Sequence, residues 1–116
     1  MTYSINSSTG ARGQVVAIGG EADAAAEREL EGAVREAVRD VLATGRERIL
    51  VIDLSESTFV DSRIIGILVR WVEDLGKKGW RVPVVCADER LLGLFRAIGL
   101  EGTFEIFPSR AAADAA

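Results

Sequence analysis

Histidine is absent from the 116 residues, and cysteine occurs once and proline twice. Without histidine there is no Ser-His-Asp or Cys-His nucleophile pair and no histidine-based metal site. The one cysteine, Cys86, lies in the apolar run Val82 to Ala87; it has no partner for an internal disulfide and reads as a small buried hydrophobe. No GxxxxGK[ST] run is present, so nucleotide phosphates would have only helix N-termini to hold them. Carboxylate and lysine chemistry remain formally open, but the chain has few residues with which to build it. An intrinsic enzyme is not expected, nor is a cofactor or a metal site.

Other absences bear on location and partners. No apolar run approaches the ~20 residues of a membrane span, and the first ten residues, MTYSINSSTG, lack the charged and apolar regions of a signal peptide. In a chain of net charge −4, no basic cluster is long enough to follow a phosphate backbone. The expectation is a cytoplasmic protein that binds neither nucleic acid nor membrane. What is present is 48% apolar residues, enough for one core, so residues 1–116 are read as a single domain.

The chain is organised around the stretch from Arg48 to Leu75. Ile49 to Leu54 is an apolar run broken only by Asp53, the pattern of a strand covered on both faces. Ser55 to Thr58 form a polar turn, Phe59-Val60 returns to the interior, and helical spacing begins at Asp61-Ser62. On that helix Ile65, Leu68, Val69, Val72 and Leu75 share one face, which Ile64, Ile67 and Trp71 widen to roughly 200°. A helix on one sheet needs a stripe of only about 100°, so part of the apolar surface near the helix start is expected to await a partner.

The rest of the chain fits around this unit. Tyr3 to Asn6 and Val15 to Ile18 read as an antiparallel hairpin across the polar turn Ser7 to Gly13. Gly19-Gly20 ends the second strand, and Asp23 is a plausible N-cap for a helix running to about Ala43, with Gly45 as its exit. Its inward stripe is Ala26, Leu30, Ala33, Val34, Ala37, Val38, Val41 and Leu42. Lys77-Lys78-Gly79 closes the central helix with cations at its negative end.

Arg81 to Cys86 is the next strand, with Pro83 marking an edge or an irregular start. Asp88 caps a helix to about Ile98 whose Leu91, Leu92, Leu94, Phe95 and Ile98 face inward. Thr103 to Phe107 is a last short strand, and residues 109–116 form a weak terminal helix or frayed tail. Trp80 and the Gly99-Leu100 turn read as packing features. The class is α/β: a mixed, mostly parallel sheet of four to five strands packed with helices in the order β-β-α-β-α-β-α-β-(α), with right-handed crossovers.

Two readings of Ser62 stay open. Asp61 or Ser62 is the N-cap of the central helix, or Ser62 is phosphorylated at a position where free amides and the helix dipole favour an anion. The run VIDLSESTFVDSRIIGILV resembles the signature of STAS domains, most closely the stand-alone bacterial anti-sigma factor antagonists. In that family an apolar strand ending in Asp-Leu is followed by a turn, an aliphatic residue and Asp-Ser, usually continuing Ser/Thr-Gly-Leu-Gly. Asp61, Ser62, Ile65 and Gly66 fit, whereas Arg63 stands at the usual Ser/Thr position and Ile64 at the usual Gly. An arginine beside the acceptor either pairs with a phosphate or excludes the family's typical kinase.

The resemblance covers nearly the whole chain and implies the same fold. It implies that Ser62 is phosphorylated by an anti-sigma factor that is also a serine kinase, that the unphosphorylated form binds this factor to free a sigma factor, and that a phosphoserine phosphatase restores that form. It also brings Gly20 and Asp23 near Ser62; capping explains Asp23 about equally well. The expected partner surface is Gly20, Asp23, Ser57, Thr58, Asp61, Arg63, Ile64 and Ile67 around Ser62, on a monomer or weak dimer. The competing reading is a STAS scaffold subunit of a signalling or lipid-transport complex, in which Ser62 is only a cap and exposed Ile64, Ile67 and Trp71 form a constitutive interface.

Overall fold

The computed structural model describes residues 2–116. One sheet carries strands β1 (Tyr3–Thr9), β2 (Gln14–Ala22), β3 (Leu50–Asp53), β4 (Ser57–Val60), β5 (Pro83–Val85) and β6 (Glu105–Phe107). The helices are α1 (Glu27–Thr44), α2 (Ser62–Lys77), α3 (Glu89–Ala97) and α4 (Arg110–Ala115), with 3-10 turns at Ala24–Ala26 and Leu100–Gly102. Strand order is β1-β2-β3-β5-β6, with β4 pairing on β2 beyond the end of β3. Among the described residues, only the β1–β2 pair is antiparallel; β2–β3, β2–β4, β3–β5 and β5–β6 are parallel.

The α/β class and the mixed, mostly parallel sheet are those read from the sequence, but the sheet has six strands rather than four to five, because Ser57–Val60, read as part of a polar turn and a brief return to the interior, pairs with β2 as β4 between β3 and α2. The hairpin strands are longer than their apolar segments suggested, because β1 runs on through polar residues to Thr9 and β2 continues past Gly19-Gly20 to Ala22. The glycine pair marks a bulge rather than a strand end: the register of β2 against β4 shifts between Gly20 and Glu21. Gly20 has φ +71°, and a Cβ there would lie 2.4 Å from the Thr2 carbonyl oxygen, so the site demands glycine for both conformation and space. Pro83 opens β5, where its missing N–H is tolerated, although β5 lies between β3 and β6.

The two faces of the sheet are covered unequally. Val16, Ile18, Leu50, Ile52, Leu54 and Val84 point into one continuous core with Leu30, Val34 and Val41 of α1, Ile64, Ile65 and Leu68 of α2, and Leu91 and Phe95 of α3. On the opposite face Val15, Ile49, Val51 and Val85 meet only Ala113 of α4, with Phe107 packed beside them. Asp53 alternates onto this second face. It is 5% exposed, its Oδ2 accepts the Arg110 Nε–H at 2.7 Å and its Oδ1 accepts the Ser55 N–H at 2.9 Å.

Three inward assignments made from spacing are corrected. Leu42 is 53% exposed because it stands about 100° round α1 from buried Val41, off the inward stripe Leu30-Val34-Ala37-Val41. Leu94 and Ile98 are also exposed, because only Leu91 and Phe95 of the short α3 reach the core.

Candidate partner-binding site at the start of α2

The loop between β3 and α2 is built on the end of β2. The Asp53–Ser55 bond closes an Asx turn, and the Ser57 N–H donates to the Leu54 carbonyl at 3.0 Å. The Ser57 hydroxyl donates to the Ile18 carbonyl at 2.5 Å, the Gly20 N–H to the Glu56 carbonyl at 2.9 Å, and the Asp61 N–H to the Ala22 carbonyl at 3.1 Å. These bonds tie β4 along β2 and bring Asp61 and Ser62 to the carboxyl end of the parallel strands, where α/β sheets generally present their binding groups.

Asp61 is the N-cap. Its backbone is extended, its Oδ1 accepts the Ile64 N–H at 3.0 Å, and its carbonyl accepts the Ile65 N–H at 3.0 Å. Ser62 is the first helical residue and is exposed. Of the two residues that could cap α2, Asp61 does so, and the helix end does not need the Ser62 hydroxyl. Arg63, also exposed, places its guanidinium 3.7 Å from the Glu27 carboxylate at the start of α1.

The neighbouring junction lies against this helix start. Asp23 caps the 3-10 turn that precedes α1, its Oδ1 accepting the Ala25 N–H at 3.0 Å, and that turn packs on α2. The structural reading of Asp23 is therefore satisfied, while its partial exposure leaves the carboxylate at the rim of the Ser62 surface. Gly20 lies three residues back, within β2, at the register shift against β4.

Three expected members of the partner surface are inside the protein. Ser57 is buried, its hydroxyl spent on β2. Ile64 is 0% and Ile67 5% exposed, and Trp71 is half-buried. The apolar arc of α2 is wide because the helix packs against α1 as well as against the sheet, with Arg70–Glu31 and Arg63–Glu27 ion pairs bridging the two helices. Among the described residues, the start of α2 leaves none of its own isoleucines uncovered.

What the structure does bring together at the surface is Thr58, Ser62 and Arg63, with Asp23 and Asp61 partly exposed beside them. Phe59, read from the sequence as interior, joins them at 40% exposure. Simple alternation does not reveal it: Thr58 and Phe59 are both outward between buried Ser57 and Val60, where the bulge offsets the pairing of β4. The site is a small, mostly acidic surface with one exposed aromatic ring and one cation.

Comparison with known proteins agrees with this architecture. Residues 6–108 match the family model described as Mlab, STAS domain. The chain is similar to the crystal structure of an anti-sigma factor antagonist from Mycobacterium paratuberculosis, with 29% identity and a TM-score of 0.77 over 98% of this chain and 93% of that one. It shares its fold with the anti-sigma factor antagonist SpoIIAA in its unphosphorylated form, at 13% identity and a TM-score of 0.67 over 97% of this chain and 94% of that one. The Bacillus cell fate determinant SpoIIAA in the phosphorylated form aligns at 16% identity and a TM-score of 0.62 over 97% of this chain and 98% of that one. No sequence among the curated proteins matches significantly. The matched region runs from the middle of β1 through β6 and includes every helix but the last, and the chain belongs to the STAS domain family.

Proposed function

We propose that this protein is an anti-sigma factor antagonist: unphosphorylated, it binds an anti-sigma factor and so releases a sigma factor, and phosphorylation of Ser62 ends that binding. The kinase is the anti-sigma factor itself, and a phosphoserine phosphatase returns the protein to its binding form. The observation that carries this reading is the division of labour at the start of α2, where Asp61 caps and Ser62 stands exposed with no capping duty. Similarity to the mycobacterial antagonist over nearly the whole chain supports it.

The switch follows from charge and position. A phosphate adds about −1.5 to −2 charges, and at the first helical residue it meets the positive end of the α2 dipole, so the fold tolerates it. Asp61 precedes Ser62 in the chain, and Arg63, which follows it, is paired with the Glu27 carboxylate at 3.7 Å. Arg63 exchanges Glu27 for the phosphate, which holds the modified side chain on the surface that a partner must cover. A hundredfold loss of affinity requires about 2.8 kcal/mol, and like charges juxtaposed at an interface cost on the order of several kcal/mol. One modification suffices.

The contact surface in this account is Asp23, Thr58, Phe59, Asp61, Ser62 and Arg63. The protein acts as a binding module, with the phosphoryl chemistry supplied by its partners. An interface resting on Ile64 and Ile67 is not available to a constitutive scaffold, since both side chains are in the core. The test is calorimetric titration of the anti-sigma factor with the unmodified protein and with a form verified as phosphorylated at Ser62. A loss of at least about a hundredfold is expected; equal affinities refute the switch.

A further inference from the structure

At the other end of α2 lies a surface that the proposed switch does not use. Between the last turns of α1 and α2, a groove of about 560 Å³ is lined by Leu42, Trp71 and Trp80 and rimmed by Arg39, Arg48 and Lys78. Trp71 is nine residues beyond Ser62 on α2, about 13 Å along the helix axis at 1.5 Å per residue.

Three features separate this groove from ordinary surface. Arg39, Arg48 and Lys78 form no ion pair among the described residues, although most of the chain's other arginines do and the net charge is −4. Arg35, on the same rim, is held by Glu31 at 3.5 Å. The negative end of the α2 dipole accounts for a cation at Lys78, but not for Arg39 on α1 or for Arg48 in the loop before β3.

The apolar floor is also incomplete. Leu42 is exposed, and the Trp71 indole N–H is shielded from solvent with no acceptor among the described residues. A turn of that ring towards a bound carboxylate therefore gains a hydrogen bond and gives none up. Tryptophan and arginine are the residue types most enriched where binding energy concentrates in protein interfaces.

We propose that this groove is a second docking surface, for an acidic amphipathic segment of a partner protein. An apolar side chain of that segment seats between Leu42 and the tryptophans, and its carboxylates meet Arg39, Arg48 and Lys78. The groove runs between two helix ends, which suits a helix laid into it by one apolar stripe. This surface acts independently of the state of Ser62, so the protein is able to hold one partner while the other is exchanged.

Trp71 and Trp80 are the only tryptophans and both line the groove, so intrinsic fluorescence reports on it without a label. The probe is a synthetic peptide of about 15 residues with leucine at helical i, i+3, i+4 and i+7 spacing and glutamate elsewhere. Saturable binding is expected, weakened at least about tenfold by Arg39→Glu with Lys78→Glu and by raised salt. The neutral variants Arg39→Gln and Lys78→Gln should give a smaller loss in the same direction, and Ser62→Ala should bind as the parent does. A lysine version of the peptide should not bind. No saturable change with the glutamate peptide overturns the proposal, as does binding indifferent to these substitutions. Tighter binding of octanesulfonate than of the peptide also overturns it, since the groove would then serve a small amphipathic anion.

Discussion

The face of the sheet beneath α1, α2 and α3 is sealed by a continuous apolar core, while the opposite face is covered only in part, by a six-residue helix with a single buried side chain, Ala113. Burial of area holds the first face, and it is spread over many side chains. The second depends on a few polar attachments: Arg110 on Asp53, and Arg12 on the carbonyls of Asp114 and Ala116. The first therefore fixes the functional helix rigidly and fails only as a whole. The second is built to loosen locally.

The most severe way to break this contrast is on the core face. Leu68→Ala, at a fully buried position of α2, should cost about 2–5 kcal/mol. In urea unfolding the whole chain should respond as one transition, taking the Ser62 surface with it. A smaller effect is expected on the other face. Arg110→Ala leaves the buried Asp53 carboxylate with its Ser55 bond alone and should cost about 1–2 kcal/mol, because Arg110 itself is partly exposed. Amide exchange should accelerate in α4 and at the end of β3 while α1 and α2 keep their protection.

Acid sharpens the same comparison. Burial alone would push the Asp53 carboxyl up, but the Ser55 hydrogen bonds and the Arg110 guanidinium outweigh it and hold the group below the usual carboxylate range. A carboxyl lowered in the folded state contributes stability that is complete above its unfolded value and is lost as pH falls through the folded value. Amide signals of α4 should therefore shift on acidification before those of the core face, and Asp53→Asn should remove that acid step. Asp61→Ala should cost about 1 kcal/mol through loss of the cap, and Ser62→Ala only a few tenths, both read from thermal unfolding. The reverse order would make Ser62 the cap.

The contrast between faces also explains what was legible in the sequence. Periodicity recovers whatever is held by apolar area: the strand through Ile52, the stripe Leu30-Val34-Ala37-Val41 and the helix closed by Lys77 all stand where the spacing puts them. A helical wheel gives the width of an apolar arc but not what covers it. Width alone therefore points Ile64 and Ile67 towards a partner, although both belong to the buried core. Polar contacts between distant residues leave no local mark. The break that Asp53 makes in its strand is visible, but its partner Arg110 lies 57 positions away. The role of Ser57 is hidden in the same way, since a serine in a turn looks the same whether its hydroxyl meets solvent or a strand carbonyl. At the candidate site the Asp61-Ser62 pair was readable from its place before the helix, whereas the outward turn of Phe59 depends on how β4 pairs with β2, where Thr58 is an extra residue opposite the Gly20–Glu21 step.

The central claim is that Ser62 is free to be modified because Asp61 caps the helix, and that its modification governs partner binding. The most direct measurement is to incubate the purified protein with its candidate anti-sigma kinase and ATP, read the intact mass and map the modified residue. The account predicts one added phosphate, located at Ser62, and none on the Ser62→Ala variant. An unmodified protein alongside a kinase shown active on another substrate, or a phosphate placed elsewhere, would contradict it.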